Sequence, residues 1–334
     1  MNNNNASPNN NLKIIIKTPK FIGDTIMMLS AFELLKLEYP NAEFTIVTLN
    51  PCVDIFRNKG ISKVIIDDTK KSKNRFKNTL NLIQEINKEK YNLGFIFHNT
   101  FLDALIFKLS GVKYTVGYNK ENSKLLLNYS LKIDRTRHYL NHYSFLVNSY
   151  LNNKYKKLME IKLFYNKYNF KLSLNKKTIG FVLGGDNKGT RKYPVDLSLK
   201  LFYLLKNNNC NIILLGDSSD TKNNNIYEEY LLKNNIEVLN LSGKTSVAEF
   251  IDLIGTIDLL VTIDSSAMHI AAATKTSFIT LVGKGTSVFE TVKPKVGFGT
   301  YIFKDNLDID DRTLINNIEP MDIYNEIIKN VDIK

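Results

Sequence analysis

The segment Asp258-Leu-Leu-Val-Thr-Ile-Asp-Ser-Ser-Ala-Met-His-Ile-Ala-Ala-Ala, followed by Ser277-Phe-Ile-Thr-Leu-Val-Gly, constrains the fold of this chain more than any other. An apolar, β-type run ends in Asp264-Ser265-Ser266, small helix-forming residues follow, and a second apolar run closes the segment. That pattern reads as a β-α-β unit, with parallel strands joined by a crossover helix. The first backbone N–H groups of such a helix have no intrahelical partner and lie at the positive end of its dipole, which suits a phosphate. Ser265 and His269 are four apart and share a helix face. The same residues also fit an ordinary helix cap with a packed histidine.

A second unit opens the chain. Leu12-Lys-Ile-Ile-Ile-Lys-Thr reads as a buried strand, Pro19-Lys-Phe-Ile-Gly-Asp as a loop, and Thr25 to Leu37 as a helix. Gly23 permits a tight turn, and Asp24 falls where the helix begins. An aspartate there is a good N-cap. It also faces the crevice outside the carboxyl end of a parallel strand, where open α/β sheets bind ligands.

Between these segments the chain alternates strand and helix patterns. Strands are expected at 43–49, 63–67, 93–97 and 113–118 in the first half and at 178–183, 210–216, 258–262 and 277–282 in the second. Helices are expected at 78–90, 102–109, 139–151, 196–207, 226–233 and 247–255, with a final one at 321–330. Alternation of this kind predicts parallel sheets covered on both faces. The fold class is therefore α/β, with two Rossmann-like domains facing one cleft. The expected boundaries are a disordered tail at 1–11, a first domain at 12–165, a polar linker near 165–177, a second domain at 178–318, and a terminal helix at 319–334.

Composition narrows the function classes. No uncharged apolar run reaches the ~18 residues of a membrane span, and the Asn-rich opening lacks the apolar core of a signal peptide. Cys52 and Cys210 lie far apart, which implies a reducing compartment and neither a disulfide framework nor a zinc site. A soluble cytoplasmic protein is expected. The net charge of +12 is uneven: residues 1–167 hold 26 Lys/Arg against 13 Asp/Glu, and residues 168–334 hold 19 against 20. The basic first half attracts anions such as nucleic acid, lipid headgroups or an acidic glycolipid. No helix-turn-helix or aromatic RNA platform supports nucleic acid as a partner.

Two loops carry much of this charge. Gly184-Gly-Asp-Asn-Lys-Gly-Thr-Arg-Lys-Tyr-Pro follows the first strand of the second half; its glycines allow close backbone approach, and Lys188, Arg191 and Lys192 are able to neutralise a diphosphate. It is not a Walker loop, and the first loop lacks the Gly-x-Gly-x-x-Gly of a nicotinamide site. Asp67-Asp-Thr-Lys-Lys-Ser-Lys-Asn-Arg-Phe-Lys is a basic loop in the first half. His138 and His142 have i,i+4 spacing but no His-Glu-x-x-His pattern, so no metal site is expected and both are assigned to a surface helix face.

The opening strand–Gly-Asp–helix and the late Asp264-Ser-Ser-Ala-Met-His-Ile-Ala-Ala resemble the heptosyltransferases, the family 9 glycosyltransferases of lipopolysaccharide core assembly. The late motif matches Asp-Ser/Thr-Gly-x-x-His-Leu-x-Ala-Ala except at Ser266, and the order and spacing of the pair agree from Leu12 to about Lys329. The resemblance implies a GT-B fold, the first domain holding the acceptor and the second a nucleotide sugar, usually ADP-heptose, as co-substrate rather than cofactor, with the terminal helix at 319–334 expected to pack back on the first domain. It implies inverting transfer with Asp24 as general base and no metal. Donor contacts are implied at Arg191, Lys192, Asp264, Ser265, Ser266 and His269, with Asp217 or Asp220 toward the ribose and Thr245 beside the base. Lys70, Lys71, Lys73, Arg75 and Lys120 are implied to meet an anionic glycolipid acceptor, with peripheral contact at the cytoplasmic face of the inner membrane. The family's Lys-x-Trp-Pro is here Arg191-Lys192-Tyr193-Pro194, which puts Tyr193 where a base or sugar would pack. Alternatives are a hexosyltransferase or epimerase on the same fold, a non-catalytic nucleotide-sugar binder, and a nucleic-acid binder driven by the basic half.

Overall fold

The computed structural model describes residues 12–333, apart from 72, 121, 135, 171, 174, 286 and 305–310, and describes only the backbone of 311–313. The expected tail, 1–11, lies outside the described residues. The chain divides into two compact units between Lys162 and Leu163.

The first unit contains β1 (Lys13–Lys17), α1 (Ile22–Glu38), β2 (Glu43–Thr48), β3 (Lys63–Ile66), α2 (Arg75–Asn87), β4 (Leu93–Ile96), α3 (Phe101–Leu109), β5 (Tyr114–Asn119), β6 (Tyr129–Lys132) and α4 (Tyr139–Tyr150). Its six strands are parallel in the order β3-β2-β1-β4-β5-β6. Ile14, Ile15 and Ile16 are all fully buried, because a central parallel strand is covered on both faces and so reads as a continuous apolar run. On one face Ile15, Val47 and Ile65 pack with Leu82, Ile86 and Phe107 of α2 and α3. On the other, α1 lies along α4, with Ser30 and Ser144 hydroxyls 3.1 Å apart and Phe32 edge-on to Phe44.

The second unit repeats the plan with β7 (Lys177–Val182), α5 (Val195–Leu204), β8 (Cys210–Leu214), α6 (Thr221–Lys233), β9 (Val238–Asn240), α7 (Val247–Thr256), β10 (Leu259–Ile263), α8 (Ser266–Thr274), β11 (Ser277–Leu281), β12 (Gly299–Ile302) and α9 (Pro320–Asn330). The order is β12-β11-β10-β7-β8-β9, again all parallel. In each sheet the strand order reverses beside the first strand, between β1 and β4 and between β7 and β10. These are the switch points at which helices leave on opposite faces and a crevice opens at the strands' carboxyl ends.

The structure differs from the sequence expectations in several places. The segment read as a linker is fastened to the second unit: the Asn166 N–H donates to Asp252 and the Tyr168 N–H to Thr256. The terminal helix α9 packs its buried Ile323 and Ile327 against α5, into the core of its own unit. His138 and His142 are buried rather than on a surface face. The ring of His142 stacks on Tyr118 at 3.9 Å, and burial lowers its pKa to about 4. Among the described residues no helix is long and apolar enough to cross a membrane.

Candidate active site

In the first unit, helix α1 starts at Ile22, one turn earlier than the sequence suggests, with the Thr25 N–H bonded to Phe21 O. Asp24 is therefore the third helical residue and not the N-cap. Its carboxylate sits in the first turn at the switch point, near the positive end of the helix dipole. Burial pushes its pKa up to about 6, and the imidazole of His98 pulls in the opposite direction. Tyr143 of α4 and Cys52 also lie within its field, and Lys17 within that of Cys52. A carboxyl poised near neutrality at a sheet switch point is suited to receive a proton.

His98 reaches this place because β4 lies beside β1: Phe97 N–H still bonds Lys17 O, and His98 follows at the strand's carboxyl end. Helix α3 then opens with Thr100 as N-cap, its hydroxyl accepting from Asp103 N–H at 3.2 Å. The buried Asp103 carboxylate takes the Thr100 hydroxyl and His98 Nδ1, the latter at 2.7 Å. Asp103 thus fixes the imidazole's orientation, leaving Nε2 for another partner.

A second buried pair links the root of the Asp24 loop to the basic loop. Lys17 Nζ, at the end of β1, donates to Asp67 Oδ2 at 2.6 Å, and Asp67 Oδ1 accepts from Thr69 N–H and Oγ1. Burial opposes ionisation of Asp67, but Lys17 and the Thr69 bonds outweigh it and lower its pKa. The loop so anchored carries Lys70, Lys71, Lys73 and, in the first turn of α2, Arg75, all exposed. Lys120, also exposed, ends the loop side of β5. The basic loop follows β3 and Lys120 follows β5, strands that lie two places, or roughly 10 Å, to either side of β1 in the sheet.

In the second unit the candidate donor residues come from four loops at the carboxyl edge of adjacent strands. After β7, Gly184 has φ +91°, and a Cβ on Gly185 would fall 2.1 Å from Ser219 O, so only glycine lets this loop lie against the β8–α6 turn. Residues Asp186–Arg191 form a short 3-10 segment. From its end Arg191 Nη1 donates to Asp264 O at 3.0 Å, while Lys192 turns to Asp186 at 2.7 Å. Ser265 caps α8, accepting from Ala267 N–H, and Ser266 is the first helical residue. Burial raises the Asp264 pKa, opposed by Arg191. His269, one turn into α8, is buried.

Asp217 and Asp220, indistinguishable in the sequence, separate here. Asp217 is exposed and pairs with Lys188 at 3.0 Å. Asp220 is buried at the start of α6 and accepts from Asp217 N–H, holding the turn; burial, with the Asp217 charge, lifts its pKa to about 6. Thr245 is half-buried, immediately before Ser246, the N-cap of α7. Its loop docks on the same turn through Gly243 N–H and Gly216 O. Tyr193 does not flank a ligand: it is fully buried, with its hydroxyl on Ile318 O at 2.8 Å.

Sequence reasoning missed His98, Asp103, Lys17 and Asp67 as members of the site. Thr100-Phe-Leu-Asp103 after an apolar strand is a helix-start signature that marks where β4 ends, and it was the available signal. Among the described residues no group of three His, Cys, Asp or Glu side chains is arranged to hold a metal ion.

Two parallel α/β units, each presenting polar loops at its switch point, define the GT-B class of two-domain proteins. The sequence model of glycosyltransferase family 9 (heptosyltransferase) matches residues 79–294, and the chain belongs to that family. It is 25% identical to lipooligosaccharide heptosyltransferase 2 of Campylobacter jejuni over 276 residues, 81% of each chain. The fold matches the structure of the Escherichia coli ADP-heptose LPS heptosyltransferase II with a TM-score of 0.79 and 21% identity, covering 95% of this chain and 98% of that one. A family 9 glycosyltransferase from Veillonella parvula superposes with a TM-score of 0.81 at 16% identity, covering 96% of both.

Proposed function

We propose that the chain is an inverting heptosyltransferase that moves heptose from ADP-heptose to a hydroxyl of an anionic lipopolysaccharide inner-core acceptor. The observation that carries the reading is Asp24, a half-buried carboxyl at the switch point of the first sheet with a pKa raised to about 6. The acceptor oxygen attacks the anomeric carbon as Asp24 takes its proton. The carbon–oxygen bond to the diphosphate breaks, and its electron pair leaves on ADP. A single displacement from the opposite face inverts the anomeric centre. Proton transfer to a placed carboxylate contributes about 10²–10⁴-fold.

Negative charge growing on the diphosphate meets Arg191 and the N–H groups at the start of α8, with His269 one turn behind; fixed dipoles of this kind stabilise the transition state without reorganising. Arg191 is better aimed than Lys192, because its guanidinium already reaches the β10–α8 junction whereas Lys192 is held by Asp186. Asp217 rather than Asp220 is the carboxylate presented to ribose hydroxyls, since Asp217 is exposed whereas Asp220 is buried in its own turn. The exposed cations Lys70, Lys71, Lys73, Arg75 and Lys120 receive the acceptor's acidic groups, at the cytoplasmic face of the membrane.

Calorimetric titration with ADP, UDP, GDP and CDP tests the donor assignment. Selective ADP binding supports it. Preference for UDP or GDP moves the donor to another sugar, and binding of none of the four contradicts the donor site.

A further inference from the structure

Three successive connections on one layer of the first unit leave large apolar side chains bare at the carboxyl end of the sheet. The first turn of helix α2 carries Phe76, 75% exposed, followed one turn on by Leu80, 42% exposed; both lie off the stripe through Leu82 and Ile86 that faces the core. Helix α3 opens on Phe101, 40% exposed. The 3-10 turn Ser123–Leu126 after β5 presents Leu125, 89% exposed. α2 packs on α3 and α3 on that turn, so the three elements that carry these side chains lie side by side. Exposed cations interleave with them: Lys73, Arg75 and Lys77 around Phe76, and Lys120 and Lys124 around Leu125.

We propose that this edge docks on the surface of an anionic lipid bilayer, Phe76, Leu80 and Leu125 entering the headgroup layer while Lys77 and Lys124, which the acceptor does not engage, pair with lipid phosphates. The composition selects this partner. Lysine is depleted from protein–protein interfaces, whereas apolar side chains among lysines and arginines are characteristic of elements that lie in a membrane interface. Each cation near an anionic leaflet adds attraction that falls off within a Debye length, so the basic charge of residues 1–167 brings this half of the chain to the surface first. The inference deepens the reading of the acceptor as lipid-borne and rests on it, but vesicle binding is measurable without any sugar.

The chain contains no tryptophan, so Phe76→Trp and Leu125→Trp each install a single emitter. Vesicles of phosphatidylethanolamine with phosphatidylglycerol should shift both emissions to the blue, and brominated acyl chains should quench them; phosphatidylcholine vesicles should do neither. Replacing Phe76, Leu80 and Leu125 together by serine should weaken vesicle partitioning at least about ten-fold, the scale of removing several buried apolar groups. Turnover on an acyl-free, water-soluble acceptor should stay unchanged while turnover on a vesicle-embedded acceptor falls. Absence of a blue shift with anionic vesicles, or wild-type partitioning of the triple variant, would overturn the proposal. Vesicle binding by a protein that transfers sugar to neither acceptor would support docking and count against heptosyl transfer instead.

Discussion

The carboxylate of Asp103 lies 2.7 Å from Nδ1 of His98, and His98 in turn lowers the pKa of Asp24. The order Asp103, His98, Asp24 connects a helix cap to the proposed base through one imidazole. The other titratable groups facing Asp24 come from different elements: Tyr143 on α4, and Cys52 in the turn after β2. Replacing His98 by Gln removes the one cause that opposes burial. The acid limb of the kcat/KM profile, expected near pH 6 in the wild type, should move to higher pH. Asp103→Asn should move it in the same direction, because the imidazole loses the carboxylate that orients it. A limb that stays in place in both variants would separate His98 from the proton transfer.

Asp24 should cost stability while serving the reaction. Its folded pKa of about 6 exceeds the ordinary value of 3.8. Between those values the folded state binds more protons than the unfolded state, so stability falls as pH rises through the window. Asp24→Asn escapes this loss. It should be more stable than wild type at pH 8, by on the order of 1–3 kcal/mol for a shift of about two pKa units, and the gain should vanish below pH 4. Urea unfolding at the two pH values checks both the sign and the window.

Lys17 and Asp67 are both withdrawn from solvent, with side chains 4% and 9% exposed. Lys17→Met leaves a buried carboxylate without its cation and should destabilise the protein by about 3–5 kcal/mol. Lys17→Met combined with Asp67→Leu should recover most of that loss, because a buried ion pair replaced by apolar groups is close to neutral. The double variant should still show a raised acceptor KM, since the basic loop has lost its anchor to β1. Urea unfolding that shows no penalty in the single variant would contradict the buried-pair reading.

Arg191 carries the donor prediction. Arg191→Ala should raise the donor KM and the dissociation constant of ADP on the order of ten-fold, about 1.4 kcal/mol. Arg191→Lys should restore part of this, because a lysine keeps the charge but not the planar fork. The acceptor KM should not change. Equal ADP affinity in all three proteins would move the diphosphate away from the β10–α8 junction.

The central strands of both sheets were legible in the sequence because burial on two faces writes a continuous apolar run, as in Ile14-Ile15-Ile16 and Leu259-Leu260-Val261. The strands missed were β6, β9 and β12, all at sheet edges, three or four residues long and mostly half-buried. An edge strand packs on fewer neighbours, so its composition carries less of the pattern. Asp24 and the Asp264–His269 segment could be read because both sit on the strand–helix joints of β-α-β units. His98 and Asp103 could not, because their relation to Asp24 depends on β4 pairing with β1, and strand order is not a local property of sequence. Tyr193 misled for a related reason: the motif fixes its place after Arg191 and Lys192, whereas burial against Ile318 is decided by a segment 125 residues away.

Heptose transfer from ADP-heptose to an inner-core acceptor, followed by wild type and Asp24→Asn side by side with the anomeric configuration of the product assigned by NMR, tests the central claim most directly. The account predicts an inverted product from the wild type. It predicts an Asp24→Asn protein that binds ADP with wild-type affinity yet turns over about 10²–10⁴-fold more slowly. Wild-type turnover by Asp24→Asn, or a product with retained configuration, would contradict it.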